Sequence, residues 1–184
     1  MKSLTIVTGN PNKLREWQSL VPSDFKLSSV DIDLDEIQSL DLTAIAKDKA
    51  KRAYSIVNKP VVVEDIAAEL VELNGLPGPF IKYFEQNLGQ DALFKLASKS
   101  GAKAIVTCTI CYYDGKDAVI AQASVNGKVV ASRGENGFGF DKVFILDGQS
   151  RTYAEMTPTE KGLISHRSKA IKILLARLTD TKSS

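Results

Sequence analysis

The sequence has few of the residues that build common metal and nucleophile sites. Its 184 residues include one histidine and two cysteines, and these do not form a Cys/His cluster with the ligand spacing of a zinc site. It also has no G-x-S-x-G segment, the turn that carries the serine nucleophile of many esterases. These absences disfavour zinc hydrolases and serine esterases, and they leave a metal bound by oxygen ligands as the better alternative.

Long hydrophobic runs and a strong net charge are missing too. No apolar run approaches the roughly 20 residues that cross a bilayer, and Met1 to Leu4 lead into a strand pattern, which disfavours secretion. The formal net charge is only +2, whereas nucleic-acid-binding domains concentrate basic residues on one face. We therefore expect a cytoplasmic protein with no membrane partner and no stable nucleic-acid partner. The net charge is compatible with the binding of a small anionic ligand.

Linkers and low-complexity segments are also absent, so we predict a single domain over residues 1–184 with a frayed tail over 179–184. The composition, 43% hydrophobic and 25% charged, suits a chain of this length that buries a core. Cys108 and Cys111 form a C-x-x-C in a β-branched run, where an offset of three places side chains on opposite faces of a strand. In a redox C-x-x-C motif the first cysteine lies at a helix N-terminus, which lowers the pKa of its thiol. This segment has no helix signal, so we predict buried structural cysteines.

The order of the hydrophobic patterns predicts an α/β protein. Strand patterns cover residues 4–8, 25–30, 61–63 and 143–145, and helical patterns cover 12–21, 43–57, 80–88, 91–97 and 166–178. A further helix is predicted to begin after Thr157. Between 102 and 132, three β-rich runs are separated by Asp114-Gly115 and Asn126-Gly127, which are typical of type I′ turns. This region is predicted to be an antiparallel meander.

The loop after the first predicted strand carries groups that can bind phosphate. It reads Thr8-Gly9-Asn10-Pro11-Asn12-Lys13. This is not a Walker A loop, which needs G-x-x-x-x-G-K followed by Ser or Thr. Backbone N–H groups at a helix start, together with hydroxyl, amide and ammonium groups, can still donate to phosphate oxygens. An ordinary turn from a strand into a helix is the alternative interpretation.

Acidic residues occur where a metal site could form. Glu64 and Asp65 follow the apolar Val61–Val63 and are predicted to lie at the end of a central strand, while Glu36 lies in an acidic segment upstream. Mg²⁺ prefers one or two carboxylates together with waters and substrate phosphates. Glu36 and Asp65 could supply these carboxylates, and Asp65 could instead, or additionally, orient and deprotonate a water. A helix cap in a solvated turn is the alternative.

Two segments near the C-terminus suit the recognition of a base. In Phe138-Gly139-Phe140-Asp141, a ring offers a stacking face, glycine allows close approach, and the carboxylate can accept a hydrogen bond from a ring N–H. Core aromatics around a turn are the alternative. His166, the chain's single histidine, could equally be a capping or packing group.

Taken together, these segments resemble the inosine triphosphate pyrophosphatase family, the house-cleaning enzymes that hydrolyse non-standard purine nucleoside triphosphates. The resemblance spans nearly the whole chain. It rests on Thr8-Gly9-Asn10 with Lys13, Val63-Glu64-Asp65, Gly75-Leu76-Pro77-Gly78, Phe138-Gly139-Phe140-Asp141, Thr152-Tyr153-Ala154-Glu155-Met156 and Ser165-His166-Arg167. It implies a mixed α/β fold with a long curved central sheet flanked by helices, two lobes with an active-site cleft between them, a homodimer, and Mg²⁺ as cofactor.

The same resemblance implies a reaction and residue roles. ITP, dITP or XTP would be converted to the monophosphate plus pyrophosphate by attack of water at the α-phosphorus. Glu36 and Asp65 would bind Mg²⁺, and Asp65 would activate the water. The substrate-binding residues would be Thr8, Gly9, Asn10, Pro11, Asn12, Lys13, Lys47 and Ile66 near the phosphates, and Phe138, Gly139, Phe140, Asp141, Lys161, His166 and Arg167 around the base.

Two positions depart from the family pattern. Ile66 stands where members often have Ser or Thr, so a backbone N–H must serve there, and Phe140 stands where they often have Trp.

Two other functions stay open. One is a related pyrophosphatase for modified pyrimidine or methylated nucleotides, because phosphate and metal groups do not identify a base. The other is a nucleotide-binding module without turnover, which the loss of a hydroxyl at Ile66 would favour.

Overall fold

The alternating strand and helix patterns form a mixed α/β fold, as predicted. The computed structural model describes residues 2–180. The strands are β1 (Lys2–Val7), β2 (Phe25–Val30), β3 (Val61–Leu70), β4 (Pro77–Gly78), β5 (Ala102–Tyr113), β6 (Ala118–Val129) and β7 (Phe144–Leu146). The α-helices are α1 (Pro11–Leu20), α2 (Leu42–Val57), α3 (Ile81–Leu88), α4 (Ala92–Leu96), α5 (Pro158–Ile164) and α6 (His166–Asp180), and short 3₁₀ helices lie at Val71–Leu73, Gly139–Lys142 and Tyr153–Glu155.

The strands of this described region form one mixed sheet. Their order is β2-β1-β3-β5-β6-β7, and β4 pairs with β3. Strand β1 is parallel to β2, from the pair Lys2 and Phe25 to the pair Val7 and Val30, and it is also parallel to β3. Strands β4 and β7 are antiparallel to β3 and β6. The side chains of Val61–Val63 are fully buried, as expected for a parallel strand covered on both faces.

The chain divides into two compact units. The first comprises the residues up to Asp65, Cys108–Ala123 and the residues from Arg167 onward, and the second comprises Ile66–Thr107 and Ser124–His166. Strands β3, β5 and β6 therefore each contribute residues to both units.

Small side chains build the core of the first unit. Ala46, Ala50 and Ala53 recur on α2 at intervals of four and three, which places them on one face of the helix. All three are fully buried and belong to the same cluster as Val63 of β3 and Cys111 of β5. Because alanine has only a methyl group, α2 can approach the sheet closely.

Larger side chains fill the second unit. Its core cluster contains Leu70, Leu93 and Val106 together with the aromatic rings of Phe144 and Tyr153, and all five are fully buried. The two ring centroids lie 5.3 Å apart in a tilted arrangement, within the range that favours aromatic pairs.

Strand β3 is longer than the sequence predicts. The prediction ends the strand at Val63, but β3 continues through Glu64 and Asp65 to Leu70, and its far end pairs with β4. Alanine, glutamate and leucine in this stretch favour helices in isolation, and cross-strand pairing overrides that preference. Glu64 and Asp65 therefore lie within a strand, where successive side chains point to opposite faces.

The position of one of the two predicted hairpin turns is confirmed, but its type I′ geometry is wrong, because Asp114 lacks the positive φ that this turn type requires. The other predicted turn is wrong in position as well. Gly115 has a positive φ of 99° in the connection between β5 and β6. Asn126 and Gly127 instead lie inside β6. A Cβ on Gly127 would lie 2.2 Å from the backbone oxygen of Ile145. Glycine here allows the close approach of β7 to β6, so the three predicted runs are two long strands.

The helix starts follow their caps. The Thr157 hydroxyl accepts from the backbone N–H of Glu160, whose carboxylate accepts from the backbone N–H of Thr157, which confirms the predicted capping box. Helix α6 includes Thr179 and Asp180, which the sequence places in the tail; residues 181–184 lie outside the described range. Over residues 2–180, no helix is both long and apolar enough for a bilayer crossing.

The two cysteines are buried free thiols in β5, as predicted. Burial raises the pKa of Cys108 well above its usual value and raises the pKa of Cys111 to about 11. A thiol kept in its neutral form is a poor nucleophile, so this pair fits a structural role.

Candidate active site

The loop between β1 and α1 is ordered by its own polar side chains. The amide oxygen of Asn10 accepts from the backbone N–H groups of Asn12 at 2.9 Å and Lys13 at 3.3 Å, and the backbone N–H of Asn10 donates to the Thr8 hydroxyl at 3.1 Å. Pro11 occupies the first turn of α1, where a missing N–H costs nothing. The predicted phosphate-binding segment is therefore a helix N-terminus, whose partial positive charge favours anions.

Gly9 allows the close approach of a neighbouring side chain. A Cβ at this position would lie 2.5 Å from Oδ1 of Asp31, in the segment that follows β2. A larger residue would require the exposed carboxylate of Asp31 to turn away.

Glu64 connects β3 with α1 and α6. Its buried carboxylate accepts from the indole N–H of Trp17 at 2.9 Å, and from Nε and Nη2 of Arg167, each at 2.9 Å to its nearer oxygen. Lys13 Nζ lies 3.4 Å from Oε1 of Glu64. Arg167 also forms an ion pair with Glu16. The Glu64 carboxylate thus contacts the polar groups of three side chains, those of Trp17, Lys13 and Arg167.

These contacts keep both partners of the central ion pair charged. Burial alone would raise the pKa of Glu64, but Arg167 and Lys13 outweigh it and hold that pKa well below its usual range. Burial would lower the pKa of Arg167, yet Glu64 and Glu16 raise it. Since both charges are buried, removing either one would cost free energy, because Glu16 alone would then face Arg167, or Lys13 and Trp17 alone would face Glu64.

A second charged cluster surrounds Lys49 of α2. Lys49 Nζ lies 2.6 Å from Oε1 of Glu36 and 3.0 Å from Oδ1 of Asp65. Burial would lower the pKa of Lys49, but Asp65 and Glu36 together raise it above its usual value. Asp65 Oδ2 is buried and accepts no hydrogen bond from any residue of the described range. The two predicted metal ligands thus both contact the Lys49 ammonium, and Oδ2 of Asp65 remains as a further acceptor.

The residues present fit a hard divalent cation. Glu36 and Asp65 are oxygen ligands that share one positive partner, and the open oxygen of Asp65 is a buried acceptor. Within residues 2–180, no three His, Cys, Asp or Glu side chains form a metal cage. Mg²⁺ sites of one or two carboxylates, completed by waters and substrate phosphates, have this composition.

Lys47, the predicted phosphate contact on α2, is exposed, whereas Lys49 faces the carboxylates. Lys49 lies three residues after the buried Ala46 and four before the buried Ala53. It therefore occupies the apolar stripe of the helix. A charged residue on an apolar stripe was the signal that could have identified Lys49 from the sequence.

In the second unit, Asp141 and Lys161 form a buried pair. Oδ2 of Asp141 accepts from Lys161 Nζ at 2.6 Å and from the backbone N–H of Phe138 at 2.9 Å. Lys161 Nζ also lies 5.0 Å from the centroid of the Phe138 ring, a cation–π distance. A Cβ on Gly137 would lie 2.2 Å from Asp141 Oδ2, so glycine leaves room for this pair.

Aromatic side chains surround His166 at the start of α6. Its ring centroid lies 5.9 Å from that of Phe140 and 6.1 Å from that of Tyr153. His166 and Phe140 are both buried. Gly139 has a positive φ of 59°, and a Cβ there would lie 3.1 Å from Oε1 of Glu85, which shows how closely the loop packs on α3.

The structure groups the predicted site residues by unit. The first unit holds Thr8, Gly9, Asn10, Pro11, Asn12, Lys13, Glu36, Lys47, Asp65 and Arg167; the second holds Ile66, Phe138, Gly139, Phe140, Asp141, Lys161 and His166. Arg167 binds carboxylates of the first unit, although the sequence groups it with the base residues. Ile66 packs against the core cluster of the second unit. Lys49, Trp17 and Glu16 were not predicted.

The chain is similar along its length to curated proteins. A family model described as Ham1 family matches residues 4–177. An inosine triphosphate pyrophosphatase of Ajellomyces capsulatus is 41% identical over 184 residues, covering 98% of this chain and 99% of the relative. Inosine triphosphate pyrophosphatase 2 of Trypanosoma cruzi is 41% identical over 177 residues, covering 94% and 90%.

Solved structures agree with the sequence relatives. The Ham1 protein of Staphylococcus aureus superposes with a TM-score of 0.82 at 28% identity, covering 98% of this chain and all of the other. A nucleoside-triphosphatase, or dITP/XTP pyrophosphatase, of Mycobacterium abscessus gives a TM-score of 0.71 at 25% identity, covering 94% and 98%. The resemblance found in the sequence is confirmed: this chain belongs to the Ham1 family.

Proposed function

We propose that the protein hydrolyses the non-standard purine nucleoside triphosphates ITP, dITP and XTP to the monophosphate plus pyrophosphate. The observation that carries this proposal is the similarity over almost the whole chain to inosine triphosphate pyrophosphatases, one of which is 41% identical in sequence. The charged clusters of the first unit and the Asp141–Lys161 pair of the second unit supply the chemistry that such a reaction requires.

The first unit is proposed to bind the triphosphate. Thr8, Asn10 and Lys13 present hydroxyl, amide and ammonium donors at the positive end of α1, and Lys49 adds a second ammonium beside Asp65. Phosphate oxygens would accept hydrogen bonds from these groups, and for Lys13 and Lys49 they would replace the present contacts to carboxylates. The binding of several negative charges is favourable only where such cations are already oriented.

Glu36 and Asp65 are proposed to hold Mg²⁺. When bound, this ion would neutralise charge on the phosphates and favour the leaving pyrophosphate. Asp65 has one oxygen bound to Lys49 and another buried without a donor in the described part of the chain. The open oxygen is the proposed acceptor for a proton from the attacking water, so Asp65 would orient the nucleophile as well as contribute negative charge.

The second unit is proposed to recognise the base. Hypoxanthine and xanthine carry an oxygen at C6, where adenine has an amino group, so a fixed donor there would be left unpaired by adenine. Lys161, held by Asp141 beside the Phe138 ring, is the proposed donor. Sites that hydrogen-bond a substrate group can reject analogues lacking it by about 10⁴-fold.

Arg167 is proposed to disfavour guanine, because a positive donor near C2 would meet the guanine amino group. In the structure its guanidinium donates to Glu64 and Glu16, so this role requires an exchange of partners. The exposed fraction of the Glu16 side chain is 21%, against 2% for Glu64, which makes Glu16 the partner that Arg167 would exchange.

A panel of purine and pyrimidine triphosphates with Mg²⁺ tests the proposed function. We expect pyrophosphate, and no orthophosphate, from ITP, dITP and XTP, with much slower turnover of ATP and GTP. Faster turnover of a modified pyrimidine or methylated nucleotide would contradict the base assignment, and tight ITP binding without pyrophosphate release would contradict catalysis. Light scattering tests the homodimer implied by the family, and cell fractionation tests its cytoplasmic location.

A further inference from the structure

Trp17 is the single tryptophan of the chain, and its buried indole N–H, which needs an acceptor, finds it in a charged group. Its side chain is fully buried, and its indole N–H donates to Oε2 of Glu64 at 2.9 Å. Lys13 lies one helical turn earlier on α1, so both side chains face the same way. Their shared partner is the Glu64 carboxylate.

The partners of Glu64 differ in how freely they can leave it. Arg167 is 2% exposed and is held by two of its nitrogen atoms, whereas Lys13 is 21% exposed and makes one long contact of 3.4 Å. Lys13 is therefore the partner that a bound phosphate would draw away. How readily it leaves depends on the residual negative charge of Glu64, which every other donor reduces.

We propose that Trp17 is a positioning residue for substrate binding: its indole N–H takes up part of the Glu64 charge and so leaves Lys13 available to the triphosphate. This inference rests on the proposed function, in which Lys13 binds phosphate. Without the indole donor, Glu64 holds Lys13 more strongly and phosphate competes less well for the ammonium. Trp17 acts through Glu64 and Lys13 and does not contact the reacting atoms.

Replacement of Trp17 by benzothienylalanine tests this directly, because sulfur replaces the N–H while the size and shape of the ring system are kept. We expect KM for ITP to rise about three- to ten-fold, which is a part of the effect of one hydrogen bond to a charged group, because the indole acts on the ammonium only through Glu64. We expect kcat to stay within about twofold of the unmodified protein. Phe25→Leu, a core change on β2, is the matched control: it should lower Tm and leave KM unchanged.

An unchanged KM in the benzothienylalanine protein would overturn the proposal, and so would a loss confined to kcat. Trp17→Phe, which also loses packing, should show the same KM rise together with a lower Tm.

The tryptophan also supplies a readout that does not depend on turnover. Inorganic tripolyphosphate should draw Lys13 away from Glu64 and change the emission of Trp17, and Lys13→Met should lose this response. An unchanged emission spectrum at saturating tripolyphosphate would contradict the proposal. Absence of pyrophosphate release from ITP would instead count against the proposed function, so the two failures are distinguishable.

Discussion

Replacing Lys49 by methionine tests the cluster around Asp65 most directly. The ammonium is the shared partner of Glu36 and Asp65 at 2.6 and 3.0 Å, and the three side chains are 13–24% exposed. Removing one partner of a fully buried ion pair costs about 3–5 kcal/mol, whereas an exposed pair is worth about 0–1 kcal/mol. For this partly buried cluster we expect a loss of about 2–3 kcal/mol.

Thermal unfolding followed by circular dichroism measures this loss. For a chain of this size, each kcal/mol lowers Tm by about 2–4 °C, so Lys49→Met should melt about 4–12 °C below the unmodified protein without added metal. Saturating Mg²⁺ should raise Tm more in the variant, because the cation then compensates two carboxylates that have lost their ammonium and displaces no protein group.

Lys47→Met is the matched control, since this lysine lies on the same helix and is exposed. Its Tm should change by less than about 2 °C, as expected for a surface substitution within about 0.5 kcal/mol. Equal destabilisation by the two substitutions, or a smaller Mg²⁺ effect in Lys49→Met than in the unmodified protein, would refute the reasoning.

Three further outcomes are expected. Asp65→Asn should abolish most pyrophosphate release from ITP while the circular dichroism spectrum is kept; near-normal turnover would remove Asp65 as metal ligand or base. Glu64→Gln should lower the free energy of unfolding in urea by about 2–4 kcal/mol, because Arg167 stays buried and keeps its ion pair with Glu16 but loses the buried carboxylate that binds two of its nitrogen atoms. Because the folded pKa of Glu64 is lowered, its stabilisation is present above the unfolded pKa of about 4.3 and is lost as pH falls through the folded value, so the two proteins should converge in acid. Gly127→Ala should cost at least about 2 kcal/mol by pushing a Cβ into the β7 backbone, and the same urea titration of the exposed Asn126→Ala should show little change.

Local patterns predicted the elements well where their own residues decide the conformation. The bounds of β2 match the prediction, and α2 begins one residue before the predicted position. The capping box at Thr157 and Glu160 identified the start of α5. In each case, apolar periodicity or a cap lies within the element, so no distant partner is needed to recognise it.

The predictions of secondary structure are wrong where the conformation depends on pairing with a strand that is distant in the sequence. The continuation of β3 beyond Val63 depends on pairing with β4, and the place of Gly127 inside β6 depends on contact with β7. Asn-Gly favours a turn in isolation, but a glycine can equally be selected because another backbone passes close to it. One sequence does not distinguish these reasons.

For the candidate site, carboxylates were easier to predict than their partners. Asp65 and Glu36 stand out as acidic residues near strand ends, and the structure brings them to the same cation. Lys47 stays a predicted phosphate contact, whereas the place of Lys49 beside the carboxylates depends on the phase of α2 relative to the sheet. The pairing of Arg167 with Glu64 joins residues 103 positions apart, a separation that no local pattern spans.

The two buried cysteines allow the local unfolding of β5 to be measured by the rate at which their thiols are labelled. Electrophiles such as maleimides react with the thiolate, and neither Cys108 nor Cys111 has exposed surface in the closed strand. Labelling must therefore await local unfolding, and its rate counts those events. Since the thiols project to opposite faces, with α2 covering Cys111 and Glu64 near Cys108, the order of modification would reveal which side of the sheet loosens first.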